Sequence, residues 1–504
     1  MSPNRRDALK IMLAGTSLAG GMSAKLFAQQ VDPVYAAYEA NSETDPWTLI
    51  ARDAPAAGFD GEAQLVHGRL PDGLRGTLFR NGPGRFSRQE WRYRHWFDGD
   101  GFIQSWNLGE NGVSHRGRFV QTDKWQTEQA AGRFLVPALG SIPPNPGGLS
   151  GPDDMNVANT SVMMLGDELL ALWEGGSAWS LDPDTLSSNG ARRWGDGLDG
   201  VPFSAHPKRE PDSGIVWNFG QDAIRNRLIL WKISPQGELL QAGLVNEIPG
   251  GMIHDFVITE RSLVFLVGSF RFEELRLPFI DSFKFRPDIP MMAVAIDKND
   301  WTQKRVWELG PGFNFHFGGA WEEADGTIRL DAALSQDARF ADGGAYAVMR
   351  GEALAESDSQ SRHTEVTLRN GREAETRLLG SDFVEFPQVD MRFTGRHRTR
   401  TWTIAWRPDQ IRSATRIECR HLETGALDSF DHGPGIFVEE PLFIPAPDGS
   451  NEGEGWILHT ALNSQQRRTE LHVFDALHLA DGPQASFQLG YSAPFGFHGC
   501  WRQA

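Results

Sequence analysis

Cysteine is nearly absent. Only Cys419 and Cys500 occur among 504 residues. Two thiols exclude a disulfide framework and leave open a single bridge between them. Positive charge is also short, with 49 Lys and Arg against 66 Asp and Glu and a net charge of −17. That balance argues against a polyanionic partner such as nucleic acid and favours a neutral or cationic one. No apolar run is long enough to span a bilayer. No long amphipathic helix, low-complexity tract or interdomain linker interrupts the chain.

Short apolar runs recur between turns, with Gly 55 and Pro 29 spread along the whole length. Examples are "LLALWEGGSAWSLDPDTL", "RLILWKISPQGEL" and "MMAVAIDKNDW". Each reads as a strand followed by a turn rich in Asp, Pro, Asn or Gly. Three pieces share one pattern of strand, Asp, short turn and Leu or Trp: "WSLDPDTL", "VAIDKNDW" and "HVFDALHL". Weak repetition of this type fits the blades of a β-propeller closed into one ring, with a β-sandwich array as the rival. Residues 340–380 look like an irregular insertion, and "AYAVMRGEALAE" within them like a helix.

The first 28 residues read as a twin-arginine export signal rather than as part of the fold. Arg5 and Arg6 precede a short apolar run, Ile11 to Met22, that is rich in Gly and Ser. The folded domain is expected over 35–504, in the periplasm.

Four histidines stand in apolar company: His206 in "VPFSAHPKREPDSG", His254 in "GGMIHDFVITE", His316 in "FNFHFGGAWEE" and His498 in "APFGFHGCW". An imidazole without partners in such a place costs on the order of 1–3 kcal/mol. The gaps between them are 48, 62 and 182 residues (254−206, 316−254, 498−316). These exclude a local helical motif and suit ligands that arrive from different blades at one axis. Neutral imidazole binds zinc, copper, iron or nickel, and composition does not choose among them.

The segments around these histidines resemble the carotenoid cleavage oxygenase family. The resemblance runs in family order through "GTLFRNGPGRF", "HWFDGDGFIQSW", "ANTSV", "LLALWEGG", "SAHPKREPDSG", "IHDFVIT", "FHFGGAWEE", "DFVEFPQVDMRF", "FVEEPLFIPAP" and "FGFHGCW". It implies an all-β, seven-bladed propeller under a dome of loops and short helices. It implies one Fe(2+) per subunit, bound by His206, His254, His316 and His498. Glu174, Glu385 and Glu440 match the family's glutamates behind these rings; Glu439, where glycine is usual, reads as a solvated neighbour. Thr160 matches a threonine beside an open iron position, where it would restrict the place of O2. The implied reaction cleaves one C=C bond with O2 into two carbonyl products, on an apolar polyene such as a carotenoid or apocarotenoid.

Trp173 and Phe315 are expected to line the substrate tunnel, and segments 133–144 and 275–285 to edge its mouth and touch a membrane. Related stilbene cleavers carry a lysine where Trp173 stands; its absence argues against a phenolic stilbene, which is the alternative substrate. An exported carotenoid-binding propeller without turnover is another, and an isomerohydrolase-type variant a third. Three departures from the family pattern are visible: Gly319 in place of Asn, expected to reshape the cavity near His316; "NEGEGW", which softens an acidic pair; and Cys500 two residues after a ligand.

Overall fold

Alternation in the sequence becomes antiparallel strands that are buried within each blade and more exposed at its outer edge. A computed structural model describes residues 31–354, 361–407 and 414–504; the export-signal segment lies outside them. Second strands such as Gly76–Arg85 and Ser262–Val267 are buried along almost their whole length. Outer strands such as Leu239–Asn246 are mostly exposed. Sheets graded in this way pack face to face around an axis, and their outermost strands face water.

Seven antiparallel blades are present among the described residues. Their inner strands are Ser161–Leu165, Lys208–Arg209, Val257–Ile258, Phe313–Glu322, the second half of Glu375–Gln388, the pair Ile436–Val438 and Leu442–Pro445, and His498–Gln503. We number the blades one to seven in that order. Two long strands serve two blades each. Glu375–Thr376 and Arg377–Leu378 pair at the outer edge of blade four, and Phe383–Gln388 open blade five. Phe59–Gly68 joins the rims of blades six and seven. The ring closes where the last strand, His498–Gln503, pairs with Gly76–Asn81 from the start of the fold.

The repeated aspartate has a structural cause. Asp182, Asp297 and Asp475 each stand at the end of a third blade strand or just beyond it. Each carboxylate accepts a backbone N–H two residues on, from Asp184 at 3.1 Å, Asn299 at 2.7 Å and Leu477 at 2.9 Å. This side-chain turn reverses the chain toward the outer strand.

The expected insertion at 340–380 is corrected. A five-residue π-turn, Phe340–Gly344, and a short helix, Ala345–Met349, account for its first part. Arg362–Leu368 is an ordinary third strand, and Glu375–Gln388 follows it. Its opening residues are exposed and charged, which hides the strand alternation. The dome is made by Pro33–Thr44, Asp123–Ala131 and connecting loops. Aromatic side chains, among them Trp47, Trp96, Phe495 and Phe497, pack beneath it.

Candidate metal centre

The inner strands start on one face of the ring, and this geometry brings distant residues together. His206 precedes blade two, His254 precedes blade three, His316 lies near the start of the blade-four strand and His498 opens blade seven. A bulge in blade four, between Asn314 and Phe317, turns the His316 ring to the axis. All four rings are buried. Their ligand atoms lie within 4.8 Å of one another.

Neighbouring Nε2 atoms are 2.9 Å apart for His206 and His254, 3.2 Å for His254 and His316, and 3.1 Å for His316 and His498. Two nitrogens at right angles on bonds of about 2.1 Å lie roughly 3 Å apart. The donor set therefore fits a transition ion with neutral nitrogen ligands.

Behind the rings stand carboxylates. Glu174, in the loop after strand Glu168–Leu172, contacts His254 Nδ1. Glu385 Oε2 is 2.5 Å from His316 Nδ1, and Glu440 Oε1 is 2.8 Å from His498 Nδ1. A ring whose Nδ1–H is held by a carboxylate presents its Nε2 lone pair to the centre. His206 differs, since its nearest carboxylate, Asp255, is 3.9 Å from Nδ1.

Electrostatics keep two of the four rings neutral and act in the opposite direction on a third. Burial, and then the neighbouring imidazoles, push His206 and His498 well below the usual histidine range, so both rings stay neutral. Burial acts the same way on His254, but the charge and hydrogen bond of Glu174 outweigh it and raise this ring. Burial lifts Glu440 to about 7, against the opposing charge of Arg80. Arg80 Nη1 is 3.2 Å from Glu440 Oε2, and Gln388 donates to Oε1 at 2.7 Å.

Above the rings opens a cavity of about 900 Å³. Trp173, Phe315 and Thr160 all line it. Phe315 meets the His254 ring edge-on at 5.3 Å. The Thr160 hydroxyl donates to Asn159 Oδ1 at 3.1 Å, and Asn159 is pinned by the carbonyls of Phe97 and Gly99. At the mouth, Leu275 and Leu277 are 62% and 50% exposed. Ile142 of the other segment is exposed too, while Leu139 lines the cavity.

Two expectations are corrected and one open question is answered. Glu439 is not solvated: it is buried, accepts from Thr460 Oγ1 at 2.5 Å and faces Arg80 Nε at 3.9 Å. Gly319 does not shape the cavity. A Cβ there would stand 2.7 Å from Arg398 Nε, so the glycine makes room for a buried arginine instead. The bridge left open between Cys419 and Cys500 is not formed, since both are free. The softened acidic segment has a local role: Glu452 accepts the backbone N–H groups of Thr399 and Arg400.

Sequence reasoning missed Arg80, Gln388 and Phe386. Phe386 stacks on the His316 ring at 5.0 Å with φ of 50°, beside a bulge between Glu385 and Gln388. A non-glycine residue in that region costs on the order of 1–3 kcal/mol. The strained turn sends Glu385 to His316 and Phe386 into the cavity. Its only signal in the sequence was "VEFPQ", an acid among apolar residues before a proline.

The sequence profile of the family described as Retinal pigment epithelial membrane protein matches residues 56–503. Apocarotenoid-15,15'-oxygenase of Synechocystis sp. is 30% identical over 471 residues, which cover 88% of this chain and 94% of that protein. Lignostilbene-alpha,beta-dioxygenase isozyme III of Sphingomonas paucimobilis is 28% identical over 463 residues, covering 87% and 93%. Among solved structures, cobalt-substituted Synechocystis apocarotenoid oxygenase superposes with a TM-score of 0.81 at 27% identity, over 91% of this chain and 98% of that one.

Proposed function

The chain belongs to the retinal pigment epithelial membrane protein family of carotenoid cleavage oxygenases, and on that premise we propose that it is a non-haem Fe(2+) dioxygenase that cleaves one C=C bond of a carotenoid or apocarotenoid. The observation that carries the reading is the convergence of four Nε2 atoms at the floor of an apolar cavity. His206, His254, His316 and His498 would hold the iron. Bound there, ferrous iron supplies the electron density that lets O2 react with a spin-paired alkene.

The remaining work belongs to the chain. Both atoms of O2 enter the products, so the overall change needs no external reductant or proton donor. Glu174, Glu385 and Glu440 fix ring tautomers and offset cationic charge. Phe315, Phe386 and Trp173 exclude water and hold a flat polyene against the rings. Thr160 puts a methyl-bearing side chain on the cavity wall and restricts where O2 sits. Trp173 offers no ammonium to a phenol, which favours a polyene over a lignostilbene-type substrate.

The exposed Leu275 and Leu277 at the mouth support peripheral contact with a membrane from which such a substrate is drawn. Export to the periplasm is proposed on Arg5, Arg6 and the short apolar run that follows them. The decisive experiment purifies the protein, measures its metal content and incubates it with β-apo-carotenals and with resveratrol, in air and without O2. Aldehydes from the carotenals that require iron and O2 support the reading. Cleavage of resveratrol alone would move it to the stilbene branch, and bound pigment without products would make the protein a carrier.

A further inference from the structure

Three of the four ligand rings are aimed by a glutamate, and His206 is not. We propose that Asp255, clipped to Lys208, is the positioning residue that replaces the missing glutamate and sets the spacing of three ligand-bearing segments at once. This inference rests on the metal-centre reading above.

Asp255 is 2% exposed and directly follows the ligand His254. Its Oδ2 accepts the backbone N–H of Phe317 at 3.0 Å, the residue directly after the ligand His316. Its Oδ1 takes the Lys208 ammonium at 2.7 Å, two residues after the ligand His206. Oδ1 also accepts the N–H of Phe256 at 2.7 Å. One carboxylate thus joins the inner strands of blades two, three and four beside their ligands. The same Oδ1 lies 3.9 Å from His206 Nδ1, too far for a hydrogen bond. Its hold on that ring passes through Lys208 and the backbone.

Two carboxylate oxygens serve three donors here, and an amide cannot do the same. In Asp255→Asn, whichever way the amide turns, its NH2 faces an N–H or the ammonium. The change keeps size and removes the clip. Lys208→Met keeps the carboxylate and frees only the blade-two segment.

The test uses Co2+ as the probe on the full chain stripped of metal. Thermal unfolding of the apoprotein establishes folding. Competition with a chelator at fixed pH then gives Co2+ affinity, and visible absorption reports its ligand field. Asp255→Asn is expected to weaken Co2+ binding by about 10- to 100-fold and to shift the visible bands. Lys208→Met should weaken it less, and Lys208→Arg should restore it. A merely structural role would lower apoprotein stability and leave affinity and bands in place. A folded Asp255→Asn with wild-type affinity and spectrum overturns the clip alone. Should that variant not fold, unchanged Co2+ binding in Lys208→Met overturns it equally. A wild-type chain that takes up no Co2+ overturns the metal centre and the clip together.

Discussion

Two groups of histidines are packed equally tightly in this molecule, and only one is built for a metal. At the axis, the rings of His206, His254, His316 and His498 have successive centroids 4.5, 4.9 and 4.8 Å apart. Between blades five and six, the rings of His432, His459 and His472 are 4.9, 5.1 and 4.7 Å apart. Ring distance does not separate the two groups; the partners of the nitrogens do. At the axis, carboxylates occupy three Nδ1 atoms and leave the Nε2 lone pairs facing one point. In the second group, His459 Nδ1 donates to the Thr460 carbonyl at 3.2 Å. His472 meets Glu470 with one nitrogen and Ser486 with the other. What remains is one Nε2 to Nε2 contact of 3.2 Å between His432 and His459, a shared hydrogen bond.

The sharpest break of this comparison is His254→Ala. It removes a ligand from the centre of the row, and we expect loss of bound metal and of polyene cleavage, read by metal analysis and aldehyde formation. His459→Ala, an equal truncation in the other group, should leave metal content at the wild-type level. If both variants lose metal alike, the distinction between the groups is wrong.

Removing a partner rather than a ligand should act more gently. Glu385→Gln keeps a carbonyl oxygen near His316 Nδ1 but loses the charge. Metal affinity should fall by about 10- to 100-fold, measured by chelator competition, while the apoprotein unfolds within a few degrees of wild type.

In the interblade group the currency is stability. His459→Ala leaves a cavity and strips a partner from His432 and from the Thr460 carbonyl. A cost of about 2–4 kcal/mol is expected in denaturant unfolding.

Much of this contrast was legible in the sequence. The four ligands announced themselves as histidines flanked by Phe, Gly and Pro, and the family motifs around them named the propeller and the glutamates. His432, in "FDHGPG", and His472, in "ELHVF", gave no such sign; strand pairing sets His472 beside His459, and the turn after strand Leu427–Asp431 adds His432. Arg80 was hidden for a related reason. It sits in a quoted motif, yet only closure of the ring brings it to Glu440, 360 residues away. Gly319 misled because proximity to His316 along the chain says nothing about which sheet face it occupies; it faces the buried pair Asp331–Arg398. The outer strand that opens Glu375–Gln388 was obscured by the charges that its exposed edge permits.

The smallest expected effect concerns pH. Burial, with His472 adding to it, pushes His432 down to about 2. Burial likewise takes His115 to about 3 and His363 to about 4. These folded values lie below the unfolded histidine value of about 6.5. As pH falls below that value the unfolded chain takes up protons that the folded chain refuses. The stability these rings contribute is therefore fully present above about pH 6.5 and is lost below it, at up to about 1.4 kcal/mol per pH unit for each ring. His432→Gln removes one such ring and keeps a neutral hydrogen-bonding side chain of similar length. Unfolding free energies measured at intervals from pH 7 to pH 5 on the apoprotein should fall less steeply in this variant, by about one ring's share. An unchanged slope would mean that His432 is already free to take up a proton in the folded chain, and the interblade group would then be more open to water than its packing implies.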